Sequence, residues 1–150
     1  MRIYSACLLG IKCRYDGTHR FMKEVYEDFL RHFSNHEEEI LIVCPEVLAG
    51  LPSPRDPIYF SGGDGRDFLD GRSRIVIAEG REKGKDLSRI FLDLAQRLDV
   101  VIPSEGGIAF LRDKSPSCGV NKVYIDGELK SGMGFFAAIL KKKGFALKGV

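Results

Sequence analysis

Ile3-Tyr4-Ser5-Ala6-Cys7 is an apolar run that ends in a thiol, and two later stretches repeat the design. Ile40-Leu41-Ile42-Val43 leads directly into Cys44. Ile108-Ala109-Phe110-Leu111 is followed, past the turn Ser115-Pro116-Ser117, by Cys118. Short apolar runs rich in β-branched and aromatic residues suit buried strands. In an open parallel α/β sheet, ligands gather beyond the carboxyl ends of the strands, where loops from distant parts of the chain converge. Three thiols remote in sequence can therefore meet at one edge of such a sheet.

Helical periodicities lie between the runs. Phe21, Val25, Phe29, Leu30 and Phe33 predict an amphipathic helix over 20–34 whose aromatic stripe is core. Leu87, Ile90, Phe91, Leu94, Ala95 and Leu98 predict a second over 86–98, capped by Asp86, and 135–143 reads as a last helix stopped by Gly144. Ile75 to Ala78 is a further strand, Val123 to Ile125 with Asp126-Gly127 a hairpin, and Glu37 to Glu39 a solvated acidic stretch. Residues 45–73 carry four prolines and five glycines, which forbid a long helix and predict about thirty residues of loop. The expected class is α/β with a mostly parallel sheet.

The chain has 150 residues, 44% of them hydrophobic and 29% charged, as expected for one globular domain spanning 1–150. Twenty-three basic against 21 acidic residues leave a net charge of +2, too little for a field that would hold nucleic acid or an anionic membrane. The apolar runs fall short of the roughly 18 residues that span a bilayer, and no signal-peptide core opens the chain, so a cytoplasmic location is expected.

Cysteine stands at 7, 13, 44 and 118, too sparse for a disulfide-stapled fold and without the paired C-x2-C hooks of structural zinc. Cys7, Cys44 and Cys118 end or follow strand-like runs, whereas Cys13 lies within a loop and is expected to be a bystander. Each of the three sits among polar or turn-forming residues. Cys7 precedes Arg14-Tyr15-Asp16-Gly17, where Arg14 and Asp16 hold the loop in shape or meet a polar substrate. Cys44-Pro45-Glu46 sets a carboxylate two residues beyond a thiol, a candidate general acid or base. Lys114-Ser115-Pro116-Ser117-Cys118-Gly119 surrounds a thiol with small residues that let backbone amides approach an anion or a cluster sulfur.

Other motifs carry less. Gly62-Gly63-Asp64-Gly65 matches neither the P-loop nor the dinucleotide fingerprint and reads as a flexible turn, and His19, His32 and His36 lack metal-ligand spacing. Lys141 to Lys143 suits a helix carboxyl end. Three thiolates leave one coordination position open, whether on zinc or on one iron of a cubane, and the pattern does not choose between them.

SACLLG with RYDG, then CPE with the GLPxPR stretch Gly50 to Arg55, then SPSCG, together resemble the thiouracil desulfidase family, in its order and over nearly the whole chain. The resemblance implies a three-layer α/β/α fold and an oxygen-sensitive 4Fe-4S cluster bound by Cys7, Cys44 and Cys118. It implies Glu46 as the proton-transfer group and Ser115 as a residue that orients the substrate, with Arg14, Asp16 and Ser117 beside it. The implied substrate is a small thiolated nucleobase or similar thiocarbonyl compound, and the implied chemistry is hydrolytic removal of sulfur without net redox change. Gly119 to Ser131 is shorter than the family's usual extension before the last helix. Two competing functions share the same thiols: a non-catalytic metal, iron-sulfur or sulfide-binding module, and a zinc-dependent hydrolase.

Overall fold

The computed structural model describes residues 1–36 and 38–150, so that Glu37 of the acidic stretch lies outside the described residues. Four strands, β1 (Arg2–Ser5), β2 (Ile40–Val43), β5 (Gly107–Leu111) and β8 (Phe145–Gly149), form one sheet in the order β2-β1-β5-β8. All three of its pairings are parallel, with Tyr4 opposite both Ile42 and Phe110. The apolar character of the two central strands, β1 and β5, follows from burial on both sides. Ile3, Ala109 and Leu111 belong to one apolar cluster, Tyr4 and Phe110 to another.

The second cluster lies under α1 (Lys23–Phe33), which contributes Val25 and Phe29. Tyr4 stacks on Phe110, and its hydroxyl donates to Asp28 of α1 at 2.7 Å, while Arg2 reaches the same carboxylate. On the opposite side, α4 (Ser88–Val101) and α5 (Phe135–Lys142) bury Phe91, Leu94, Phe135 and Phe136. At about 1.5 to 3 kcal/mol for each large side chain taken from water, this face is the larger source of stability. The fold is α/β in three layers: α1, the parallel sheet, then α4 and α5.

A second sheet was not anticipated. It contains β3 (Ile58–Ser61), β4 (Arg74–Ile77), β6 (Lys122–Ile125) and β7 (Glu128–Ser131) in the order β4-β3-β6-β7, with parallel pairing only between β3 and β6. Two short helices, α2 (Pro45–Leu48) and α3 (Gly65–Leu69), also lie in the predicted loop 45–73. Its prolines and glycines do break it, but between short elements: Phe60 and Phe68 are fully buried, and four residues suffice for β3 to pair between β4 and β6. Asp64 is no flexible turn. It is buried, caps α3 with a reciprocal bond to Asp67, and accepts from the Met133 amide.

Smaller corrections follow the same logic. The α1 stripe is only partly core, since Phe21, Leu30 and Phe33 are exposed while Val25 is buried. Asp86 accepts from the Ser88 amide but stands one residue before the N-cap, which is Leu87 and makes no side-chain cap bond. The helix runs on to Val101, three residues beyond the predicted end at 98. The 122–131 hairpin forms, α5 is followed by Gly144 at φ +84°, and β8 went unread because its residues Phe145-Ala146-Leu147-Lys148-Gly149 are too mixed to signal a strand.

Gly134, at the start of α5, presses its backbone against the Ser117 carbonyl, where a Cβ would collide. The contact fixes the turn that carries Cys118. Gly134→Ala is expected to lower unfolding free energy by about 1 to 3 kcal/mol in a urea titration, as overpacking does. A change at Gly71, whose Cβ would meet no neighbour but whose φ is +78°, tests backbone strain alone.

Candidate active site

Because β1, β2 and β5 are parallel, their carboxyl ends share one edge of the sheet, and each delivers a thiol. Cys7 lies in the 3-10 turn Ala6–Leu9 directly after β1. Cys44 immediately precedes α2 and stands at its N-cap. Cys118 closes the turn after β5, where the Ser115 hydroxyl oxygen accepts from the amides of Ser117 and Cys118, both at 3.1 Å. Cys7, Cys13, Cys44 and Cys118 all line one cavity of about 580 Å³.

Cys13 is therefore no bystander by position. It packs in one apolar cluster with Cys7 and Cys44, and the Cys44 thiol donates to its carbonyl oxygen at 3.7 Å. Cys118 is buried and lines the same cavity as the buried Ser5. The contact with Cys44 draws the Cys13 pKa down, but Cys7 and burial outweigh it and push the thiol up to about 11. The contact with Cys13 and then burial push Cys44 up, and burial does the same for Cys118. The protein by itself thus keeps these thiols protonated, and a bound cationic centre would have to supply the charge that makes them thiolates.

Among the described residues, no three His, Cys, Asp or Glu side chains converge on a point where one metal ion would sit. A cubane asks for something else, since each thiolate binds a different iron and the ligands ring a volume. Soft sulfur donors around one cavity fit such a group.

Glu46 faces this cavity from α2, 8% exposed. The Arg55 guanidinium grips its Oε2, with Nε at 3.0 Å and a shorter contact from Nη2. The Ser117 hydroxyl donates to Oε1 at 3.4 Å. Arg55 also donates to the carbonyl oxygens of Cys13 and Pro52, so one side chain ties together the Cys13 loop, α2 and the chain leading to β3. The sequence reading missed this role, although Arg55 closes the GLPxPR stretch. It also missed Ser5, which accepts from the Arg112 amide at 3.0 Å beside Cys118.

The remaining predicted residues divide. Arg14 lines the cavity, while Asp16 does not: it accepts from Thr18 and Arg14 within its own loop, and the Thr18 hydroxyl holds its carboxyl below the usual range. Of the two roles considered for it, shaping the loop is the one its contacts describe. Ser115 lines the cavity and Ser117 is fully buried against Glu46. Arg20 and Arg112 join Arg14 on the cavity wall, and burial followed by repulsion from Arg20 and Arg14 lowers the Arg112 pKa. The thiols thus face a wall rich in hydrogen-bond donors.

A parallel three-layer α/β protein with thiols, a paired glutamate and guanidinium groups around one cavity defines a class of small sulfur-handling proteins. The chain belongs to the 2-thiouracil desulfurase family, whose family model it matches over residues 3–149. It is 32% identical over 149 residues to the uncharacterized protein YbbK of Bacillus subtilis (strain 168), a match that covers 97% of this chain and 92% of the relative. It is also similar to a solved structure of a [4Fe-4S]-dependent thiouracil desulfidase, TudS. That likeness has a TM-score of 0.69 and 30% identity, covering 98% of this chain and 88% of the other.

Arg55→Ala would leave a buried carboxylate without its partner, which is expected to destabilise the fold by about 3 kcal/mol or more. Urea unfolding of Arg55→Ala, Glu46→Gln and the double variant checks this. The double variant should recover much of the loss, because the charge that Arg55 neutralised is gone.

Proposed function

We propose that the chain is a single-domain enzyme that removes sulfur from a small thiolated nucleobase or similar thiocarbonyl compound, using a 4Fe-4S cluster held by Cys7, Cys44 and Cys118. The observation that carries this is the meeting of those thiols and Glu46 at one cavity formed by the ends of parallel strands. Membership of the desulfurase family and the likeness to TudS support the cluster and the substrate class. All four cysteines are free thiols, in keeping with a reducing cytoplasm.

When bound, the cluster would supply an open iron that acts as a Lewis acid toward the thiocarbonyl sulfur. The remaining work falls to the protein. Glu46 accepts a proton at Oε1 from the water that attacks the thiocarbonyl carbon, while Arg55 fixes Oε2 and so the direction of that oxygen. The Ser117 hydroxyl, donating to Oε1, keeps the carboxylate turned toward the cavity. Ser115 accepts two amides and so retains its own hydroxyl proton for a ring acceptor of the substrate. Arg14 meets the polar edge of the ring, with Asp16 bracing it from behind. Water replaces sulfide at carbon with no change in electron count, so the step is non-redox.

Membership of the family and the likeness to a [4Fe-4S]-dependent structure favour a cluster over the zinc of a hydrolase, and the paired Glu46 favours catalysis over a passive sulfide store. Anaerobic reconstitution should give about four irons and four acid-labile sulfides per chain, the content of a cubane. The loaded protein should release sulfide from 2-thiouracil. Glu46→Gln should keep the iron and lose about 10² to 10⁴ in kcat, the usual worth of a general base. Cys7→Ser, Cys44→Ser and Cys118→Ser should each lose the cluster. Full sulfide release by Glu46→Gln, or by protein free of iron, would end this assignment.

A further inference from the structure

Resting on the cluster assignment, we infer that Cys13 is a fourth, exchangeable thiolate, which closes the open iron of the resting enzyme and leaves it when substrate arrives. Three observations converge on it. Cys13 is 6% exposed and lines the same cavity as the other three thiols. It packs in one apolar cluster with Cys7 and Cys44, so any group held between those two lies beside it. Its backbone is pinned from the site itself, because its carbonyl oxygen accepts from Arg55 at 3.0 Å and from the Cys44 thiol.

The pinned backbone leaves the sulfur one degree of freedom. A cysteine side chain has a single χ1 with three staggered wells, so Sγ can swing toward or away from the cavity while the carbonyl stays in place. The other thiols sit where strands end, in the turn after β1, at the start of α2 and in the turn after β5. Cys13 instead belongs to the loop between Gly10 and Gly17, both at positive φ, and no strand sets its position. That placement suits a ligand that exchanges. Simple packing is the competing account, since a buried thiol also serves as a small apolar group among Ala6 and Leu8.

The exchange balances without an oxidant. As the iron–sulfur bond forms, the Cys13 thiol gives its proton to solvent; as the substrate sulfur takes the iron, that bond breaks and Cys13 regains a proton. No electrons are transferred.

A cubane with one unprotected iron loses that iron on mild oxidation and becomes a three-iron cluster, and a fourth thiolate retains it. Anaerobically loaded wild type, Cys13→Ala and Cys13→Ser are therefore titrated with ferricyanide, reading the three-iron electron paramagnetic resonance signal and iron per chain. Wild type should form several-fold less three-iron cluster than either variant, and excess 2-thiouracil should raise its signal toward theirs. Circular dichroism confirms that the variants are folded. Equal signals in all three proteins would overturn the proposal and leave the cluster assignment intact. So would failure of folded Cys13→Ser and Cys13→Ala to load any cluster, since Cys13 would then be an obligatory ligand. Failure of wild type itself to load iron is the outcome that sinks the cluster assignment.

Discussion

Parallel pairing of β1 with β2 on one side and β5 on the other is the constraint from which the rest follows. Hydrogen bonds slanted along a parallel ladder require every strand to run the same way, and hence every strand to end at the same edge. The register sets Ser5 opposite Val43 and Tyr4 opposite Phe110, so the chain leaves all three strands at nearly one level. Cys7, Cys44 and Cys118, separated by up to 111 positions in sequence, line one cavity because of that geometry and not because of any local motif. Burial on both faces then locks the register, since a slip by one residue would turn Ile3 and Tyr4 to the wrong sides.

On this frame the site is assembled by a few polar residues that each hold more than one segment. Arg55 joins Glu46, the Cys13 carbonyl and Pro52. Ser5 joins the end of β1 to the start of the chain after β5, and Ser115 shapes the turn that ends in Cys118. Buried hydrogen bonds of this kind contribute little net stability when satisfied but cost heavily when one partner is removed. Such a network therefore defines geometry more than it stabilises the fold. That suits the task proposed for the cavity, to hold a carboxylate, a substrate and a cluster in fixed relation.

The parallel sheet and its thiols could be read from Ile3 to Ala6, Ile40 to Val43 and Ile108 to Leu111, because double-sided burial writes itself as continuous apolar runs. The second sheet could not. Ile58-Tyr59-Phe60-Ser61 is as short as any strand here, but it lies among prolines and glycines that speak for loop, and only tertiary pairing with β4 and β6 makes it a strand. Glu46 was visible through its neighbour Cys44, whereas its partner Arg55 was not, since an ion pair nine residues apart across an irregular segment has no periodic signature. Cys13 lies in a loop and lacks the strand-end position that marks the other three thiols. The loop folds back over the sheet edge, and sequence carries no sign of that return beyond the glycines at its ends.

Diffraction at the iron absorption edge, from crystals grown without oxygen, tests the central claim most directly. Iron should appear as one compact cluster in the cavity, bonded to the sulfurs of residues 7, 44 and 118, with the Glu46 carboxylate facing it and still held by Arg55. Iron outside that cavity, a single ion in place of a cluster, or one of those three sulfurs turned away into packed hydrocarbon would contradict it.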